Sequence, residues 1–394
     1  MKKRKIILLS TIGVLSVTAI ICLVLFAFQQ QYRRDRMDAW IDDEVPTVTV
    51  IPTAAPEATI APSSAPTAAP TPTKEPAGPI VLGFAGDVNL DEDSYPVAKY
   101  DAEGKGILGV LSEDLIKEMK DADIMMLNNE FAYSTRGTEE SDKSYTFRAD
   151  PKRVDILKEM GVDIVSLANN HALDFGPEAL IDTFSTLDNA EIDYVGAGEH
   201  IDRAKAPVYK KVGDKTIAYV AASHVIFAMD WYAGDNTPGM IGTYDPTLFV
   251  ESIKEAKANS DYVVAFIHWG VERNSKPESY QRNLAKIYID NGADLVVGCH
   301  PHVMQGLEFY KGKPIAYSLG NYWFNNSSKE SGLLKLYLDP DGTTRVQLLP
   351  VMNKDTKTFI LTKEQDRTNY FNYMQGLSYD VVIDDEGFVT EDNK

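Results

Sequence analysis

The order of apolar runs predicts an α/β protein built from two packed sheets, and three observations carry that reading. Short β-branched runs alternate with helix-like stretches from Ile80 to His302. Beyond His302 the helical stretches largely stop, and strand-like runs follow one another with Gly, Asn and Asp turns between them. Five of the six histidines stand directly after apolar strand-like runs, the place where α/β sheets bind ligands.

In chain order, Lys2, Lys3, Arg4 and Lys5 make a basic tip (1–5) ahead of an apolar run from Ile6 to Phe28. Roughly 23 residues rise about 34 Å as a helix, enough for a hydrocarbon core near 30 Å. A cleavable signal peptide has a shorter apolar centre and a small-x-small site, whereas Phe26, Phe28 and Gln29 to Gln31 follow here. The expectation is an uncleaved signal-anchor over 6–28 that crosses the cell membrane once, with a cytoplasmic N-terminus and an extracellular body. Residues 29–79 read as a Pro/Ala/Thr-rich linker, with nine prolines between Glu44 and Pro79. Proline fixes φ and removes backbone donors, so this stretch predicts an extended spacer.

The body spans 80–352. Strands are expected at Ile80 to Ala85, Ile124 to Leu127, Asp163 to Leu167, Ile217 to Ala222, Tyr262 to Ile267 and Asp294 to Val297. Helices are expected at Pro151 to Met160, Pro177 to Leu187, Pro246 to Ala258 and Ser279 to Asn291. The strands expected at Val303 to Tyr310, Lys313 to Ser318, Gly332 to Leu338 and Thr344 to Val351 are assigned to a second sheet packed on the first. Residues 353–394 form a polar C-terminal extension with one expected strand, Tyr379 to Ile383.

Charge narrows the function classes. The formal net charge is −19, and beyond Pro79 there are 31 Lys/Arg against 51 Asp/Glu. Such a field repels nucleic acid and anionic lipid, and an anionic substrate needs a local metal or basic side chains to bind. The only cysteines, Cys22 and Cys299, allow no disulfide framework or cysteine-based zinc knuckle within one chain. Imidazole, carboxylate and amide oxygen at strand ends suit a divalent Zn, Mn, Fe or Co ion. In His300-Pro301-His302 an extended backbone would project both rings to one face.

Gly86-Asp87-Val88-Asn89-Leu90, Asn128-Asn129-Glu130, Ser166-Leu167-Ala168-Asn169-Asn170-His171 with Asp174, His268-Trp269-Gly270, Gly298-Cys299-His300-Pro301-His302 and Ser318-Leu319-Gly320-Asn321-Tyr322 follow one another along the chain. In that order they resemble the CapA-type poly-γ-glutamate capsule biosynthesis proteins of the calcineurin-like metallophosphoesterase superfamily, over about Ile80 to Pro350. The resemblance implies a four-layer αββα sandwich with one or two divalent transition ions at the strand ends. By position, Asp87, Asn170, His268, His300 and His302 match metal ligands, and His171 matches the histidine that acts on the leaving group. The family's opening Asp-x-His stands here as Asp87-Val88-Asn89, and Glu130 is the one residue available for the bridging carboxylate. Asn89, Arg148 and Asn321 are assigned to substrate. Asp174 either orients His171 or caps the helix before Pro177, and Arg148 is either an anion clamp or a surface ion pair. Trp269 walls the site or packs the core, His224 stands behind the ligands, and Cys299 reads as a buried filler.

Three functions are compatible with these residues. The first is a cell-surface metallohydrolase cutting or transferring an amide or phosphoester bond in an anionic polymer such as poly-γ-glutamate, in the setting of a polymer-synthase membrane complex. The second is a non-catalytic accessory of polymer synthesis or export. The third is an extracytoplasmic phosphoesterase acting on small compounds.

Overall fold

The strand Ile80–Val88 (β1) reads IVLGFAGDV, and every residue except Val81 is buried. A run without polar alternation suits a central strand covered on both faces. The computed structural model describes residues 78–326 and 328–392. The expected anchor at 6–28, and the linker up to residue 77, lie outside the described residues. Among the described residues no helix is long and apolar enough to cross a membrane.

From β1 the chain alternates helix and strand: Tyr95–Glu103 (α1), Glu113–Lys120 (α2), Ile124–Asn129 (β2), Val154–Met160 (α3), Ile164–Ser166 (β3), Gly176–Asn189 (α4) and Asp193–Val195 (β4). There follow Ile201–Lys205 (α5), Val208–Val212 (β5), Lys215–Ser223 (β6), Thr247–Asn259 (α6), Tyr262–His268 (β7), Ser279–Asp290 (α7) and Leu295–Cys299 (β8). The last part holds Leu307–Tyr310 (β9), Lys313–Ala316 (β10), Lys329–Leu338 (β11), Thr344–Lys354 (β12), Glu364–Leu377 (α8), Val381–Ile383 (β13) and Phe388–Glu391 (β14).

Two sheets result. The first runs β13-β14-β12-β11-β1-β2-β3-β4, parallel from β1 to β4 and antiparallel from β1 outward through β11. The second runs β9-β10-β8-β7-β6-β5, with β6, β7, β8 and β10 parallel. Leu82 and Phe84 of β1, Phe266 of β7 and Val297 of β8 share one buried cluster, so the sheets enclose a common core. Helices α6 and α7 cover the second sheet, and α4 packs on β4. Full burial of each such Leu or Phe contributes about 1.5–3 kcal/mol. The chain is a mixed α/β sandwich.

The division of strands between sheets differs from the sequence expectation. Only β9 and β10 of the late strands join the second sheet, while β11 and β12 pair with the first across the β1 edge. The second sheet is built on β6, β7 and β8, whose apolar runs are buried as completely as β1. Periodicity reports burial, not which neighbour a strand chooses. The expected strand over Val303 to Tyr310 begins at Leu307, because Met304 makes only an isolated bridge to Leu319. The polar tail contains a helix that the sequence reading lacks: α8 buries Tyr370, Phe371 and Met374 among polar neighbours. Beyond it, β13 and β14 extend the first sheet.

Strand β1 runs past the expected Ala85 because its end has two further partners. Asp87 pairs with Asn128 of β2 and with Asn321 of the short strand Asn321–Trp323. Gly86 permits that approach: a Cβ there would lie 2.0 Å from the Gly320 carbonyl oxygen, and the Asp87 amide donates to that same oxygen at 3.0 Å. Gly86→Ala is therefore expected to cost about 3 kcal/mol, the upper end for overpacking, and to lower the melting midpoint by roughly 5–10 °C. A thermal melt beside wild type checks it.

Candidate metal centre

The carboxyl ends of β1, β2, β7 and β8 meet. Asp87 lies opposite Asn128, and His268 lies opposite Cys299 in register. Asp87, Asn128, Glu130, Asn169 and His268 are each fully buried, which no polar group tolerates without partners. Asn128 Nδ2 supplies some: it donates to Asp87 Oδ1 at 2.8 Å and to Glu130 Oε2 at 2.9 Å. Asn169 Nδ2 in turn donates to Asn128 Oδ1 at 3.1 Å.

Glu130 Oε1 is the centre of the cluster. It stands 3.7 Å from His302 Nε2, 3.9 Å from His268 Nε2 and 4.0 Å from His171 Nε2. Among the described residues it has no hydrogen-bond partner although it is buried, and the same holds for His300 Nδ1. Asn170 Oδ1 lies 2.6 Å from His268 Nε2. His302 Nδ1 lies 3.2 Å from Asp87 Oδ2 and 2.8 Å from Asn321 Oδ1.

The two histidines of His300-Pro301-His302 converge by a different backbone from the expected one. Their φ angles are 97° and 57°, in the left-handed region, and their rings are 5.8 Å apart. Non-glycine residues are strained there, a cost that persists where the surroundings fix the geometry. The fixing contact is the His300 amide, which donates to Asp87 Oδ1 at 3.2 Å.

Burial sets the charges. It pushes the Glu130 carboxyl well above its usual range, with the neighbouring Asp87 charge adding to the effect. It drives His268 well below its usual value and His300 down to about 3, aided at both by neighbouring imidazoles. Burial also opposes charge at Asp87 and His302, but their mutual contact prevails, holding the carboxyl low and the imidazole high.

Beside this cluster His171 Nδ1 is 2.6 Å from Asp174 Oδ2. Asp174 does not cap α4, whose first turn has no side-chain cap. Lys143, absent from the sequence reading, donates to Asp174 Oδ1 and to the Asn170 carbonyl, and lies 3.3 Å from His171 Nδ1. Burial lowers the Lys143 and His171 pKa values. Phe147 packs against His171 at 4.2 Å between ring centroids, and Phe324 against His302 at 4.6 Å, both pairs tilted.

The remaining sequence candidates lie around the rim or behind it. Asn89 Oδ1 accepts from the Asp91 amide at 2.8 Å in a local turn. The Arg148 guanidinium lies 4.0 Å over the Phe175 ring and donates to the Arg136 carbonyl at 3.0 Å. Asn321 orients His302, and its Nδ2 is buried without a partner. Trp269 is a core residue, donating to the Tyr317 carbonyl at 2.9 Å. His224 stacks on Tyr280 at 4.2 Å, and its amide donates to the His268 carbonyl at 2.8 Å. Cys299 Sγ is 3.3 Å from His268 Nδ1, and burial raises its thiol well above the usual range. Asn128 and Asn169 were legible only as parts of motifs; nothing in the local sequence marks Lys143, since a lysine in a polar loop reads as solvated.

The residues present suit a divalent ion. Asp87, His268 and Cys299 form one group with ligand atoms within 4.8 Å of one another, and Glu130, His300 and His302 form a second. Two buried carboxylates, a partnerless carboxylate oxygen and a partnerless imidazole nitrogen are what a cation would satisfy.

Residues 81–326 match the family described as bacterial capsule synthesis protein PGA_cap. The chain belongs to that family. Among curated PGA_cap relatives, the PGA biosynthesis protein CapA of Bacillus subtilis is 37% identical over 54% of this chain and 56% of its own length. The capsule biosynthesis protein CapA of Bacillus anthracis is 33% identical over 60% of this chain and 59% of its own. A "probable polyglutamine synthesis accessory protein" of Mycobacterium tuberculosis is 29% identical over 50% of this chain and 55% of its own. The chain thus spans a little over half the length of the curated relatives it matches.

Proposed function

We propose that this PGA_cap chain is a membrane-anchored, extracytoplasmic, metal-dependent hydrolase of the four-layer αββα metallophosphoesterase type. It acts in the synthesis, processing or anchoring of a poly-γ-glutamate-type polymer, beside the membrane complex that makes it. The observation that carries the reading is Glu130 Oε1: buried, without a hydrogen-bond partner, and within 4.0 Å of three imidazole nitrogens. Asp87, Glu130, Asn170, His268, His300 and His302 hold one or two Mn, Zn, Fe or Co ions, with the acidic residues balancing their charge. Such an ion supplies Lewis acidity when bound.

The chain's own groups supply the rest. Asp174 accepts the Nδ1 proton of His171, which leaves the Nε2 lone pair facing the cluster. There it takes a proton from the attacking water, whose oxygen bonds to the electrophile as the scissile bond breaks, and passes that proton to the departing oxygen or nitrogen. Phe147 and Phe324 cover the His171 and His302 rings and limit water there. The strongly acidic body disfavours anionic polymer everywhere except at such a neutralised centre.

A non-catalytic, polymer-holding accessory is the second reading. It is favoured by Asn89, which stands where the resemblance has a histidine and whose side chain serves a local turn. Chromatographic analysis of poly-γ-glutamate, and release from a chromogenic phosphodiester, separate the two. Hydrolysis of either probe that a chelator abolishes and a divalent ion restores is the expected result. Metal-dependent binding of the polymer without cleavage of either probe would select the accessory.

A further inference from the structure

A loop fastened at both ends closes over the His171–Asp174 pair. Ala132–Tyr133 and Arg148–Ala149 pair in parallel, so residues 134–147 leave and return at one place. Near its start the loop is tied to α4, with Ser134 Oγ 2.6 Å and Arg136 Nη2 2.6 Å from the Asp182 carboxylate. From the far part Lys143 reaches inward until its side chain is 8% exposed, with its ammonium 5.0 Å over Trp231 and 5.6 Å over Phe227.

Asp174 is held almost wholly by this loop. Oδ1 accepts from Lys143 Nζ, Oδ2 accepts from the Phe147 amide at 2.7 Å, and the Asp174 carbonyl accepts from the Glu140 amide at 2.8 Å. Among the described residues, the carboxylate's other partner is His171 Nδ1. A fully buried carboxylate with an oxygen left open would turn toward any remaining donor. The imidazole would turn with it, since the Asp174 contact fixes both its tautomer and its plane.

We infer that Lys143 is a positioning residue for the hydrolysis proposed above: its ammonium locks Asp174 so that His171 keeps its proton on Nδ1 and presents Nε2 to the cluster. Lys143 Nζ has Asp174 Oδ1, the Asn170 carbonyl and His171 Nδ1 as its near neighbours, so Lys143 acts through the His171–Asp174 pair and not on substrate. The inference rests on the hydrolytic reading, and the test separates their failures.

Full-length wild type, Lys143→Met, Lys143→Arg and Lys143→Ala are compared on poly-γ-glutamate and on a chromogenic phosphodiester, with metal content and melting midpoint measured for each. The expected result for Lys143→Met is a kcat lowered about 100-fold, as for a misplaced catalytic group, with KM and metal content as in wild type. Added ethylammonium is expected to restore part of the turnover of Lys143→Ala. Should Lys143→Met fail to fold, Lys143→Arg keeps the charge but cannot place one nitrogen on both acceptors, and is expected to show the same loss in kcat. Wild-type kcat in the folded variants, a raised KM with unchanged kcat, or lost metal would each overturn the inference. No turnover by wild type on either probe would overturn the hydrolytic reading itself.

Discussion

Glu130→Gln is expected to empty the site of metal while leaving the fold intact. Glutamine keeps the shape of the side chain and can still accept from Asn128, but it removes the charge at the point where the Nε2 atoms of His171, His268 and His302 converge. Loss of a hydrogen-bond partner behind a ligand costs roughly 10–100-fold in metal affinity, and loss of a central carboxylate should exceed that range. Stability should move the other way. Without an ion, Glu130 and Asp87 are two buried carboxylates sharing one amide donor group, and burial already disfavours the charged form of Glu130. The metal-free Gln variant is therefore expected to melt no lower than metal-free wild type. Elemental analysis and paired melts check both halves; wild-type metal affinity in the variant would remove Glu130 from the ligand set.

His171→Ala should separate chemistry from metal binding. Its Nδ1 is committed to Asp174, and its Nε2 points at the cluster from 4.0 Å. Turnover of either hydrolysis probe is expected to fall about 10²–10⁴-fold, the usual worth of a positioned proton donor, with metal content near that of wild type. Asp174→Asn should lie between wild type and His171→Ala, since it keeps the volume but releases the ring's tautomer. Metal lost in step with turnover would move His171 into the ligand set.

The sequence made the framework of this site legible for a physical reason. Central parallel strands are buried on both faces, so β1, β2, β7 and β8 appear as unbroken apolar runs, and polar residues directly after them must sit at one end of a sheet. The strand-end positions of Asp87, His268, His300 and His302 are legible that way, as are Asn170 and His171 after β3; their roles as ligands and proton carrier come from the resemblance. The pairing of β11 and β12 was not legible, because an apolar strand fits either sheet. The left-handed backbone at His300 and His302 escaped as well: it is set by the Asp87 contact from far along the chain. Lys143 and α8 were hidden by polar surroundings, where burial depends on what packs above them. Arg148, chosen for its charge, finds its partners in Phe175 and Arg136.

The most direct test is the transition-metal content of the purified chain, measured by elemental analysis after loading and desalting, with Glu130→Gln and His300→Ala treated in parallel. One or two ions per wild-type chain, with most of that metal missing from both folded variants, is the result the cluster predicts. A wild-type chain that retains no ion under any loading, or variants that retain as much as wild type, would contradict a metal centre built on Glu130 and His300.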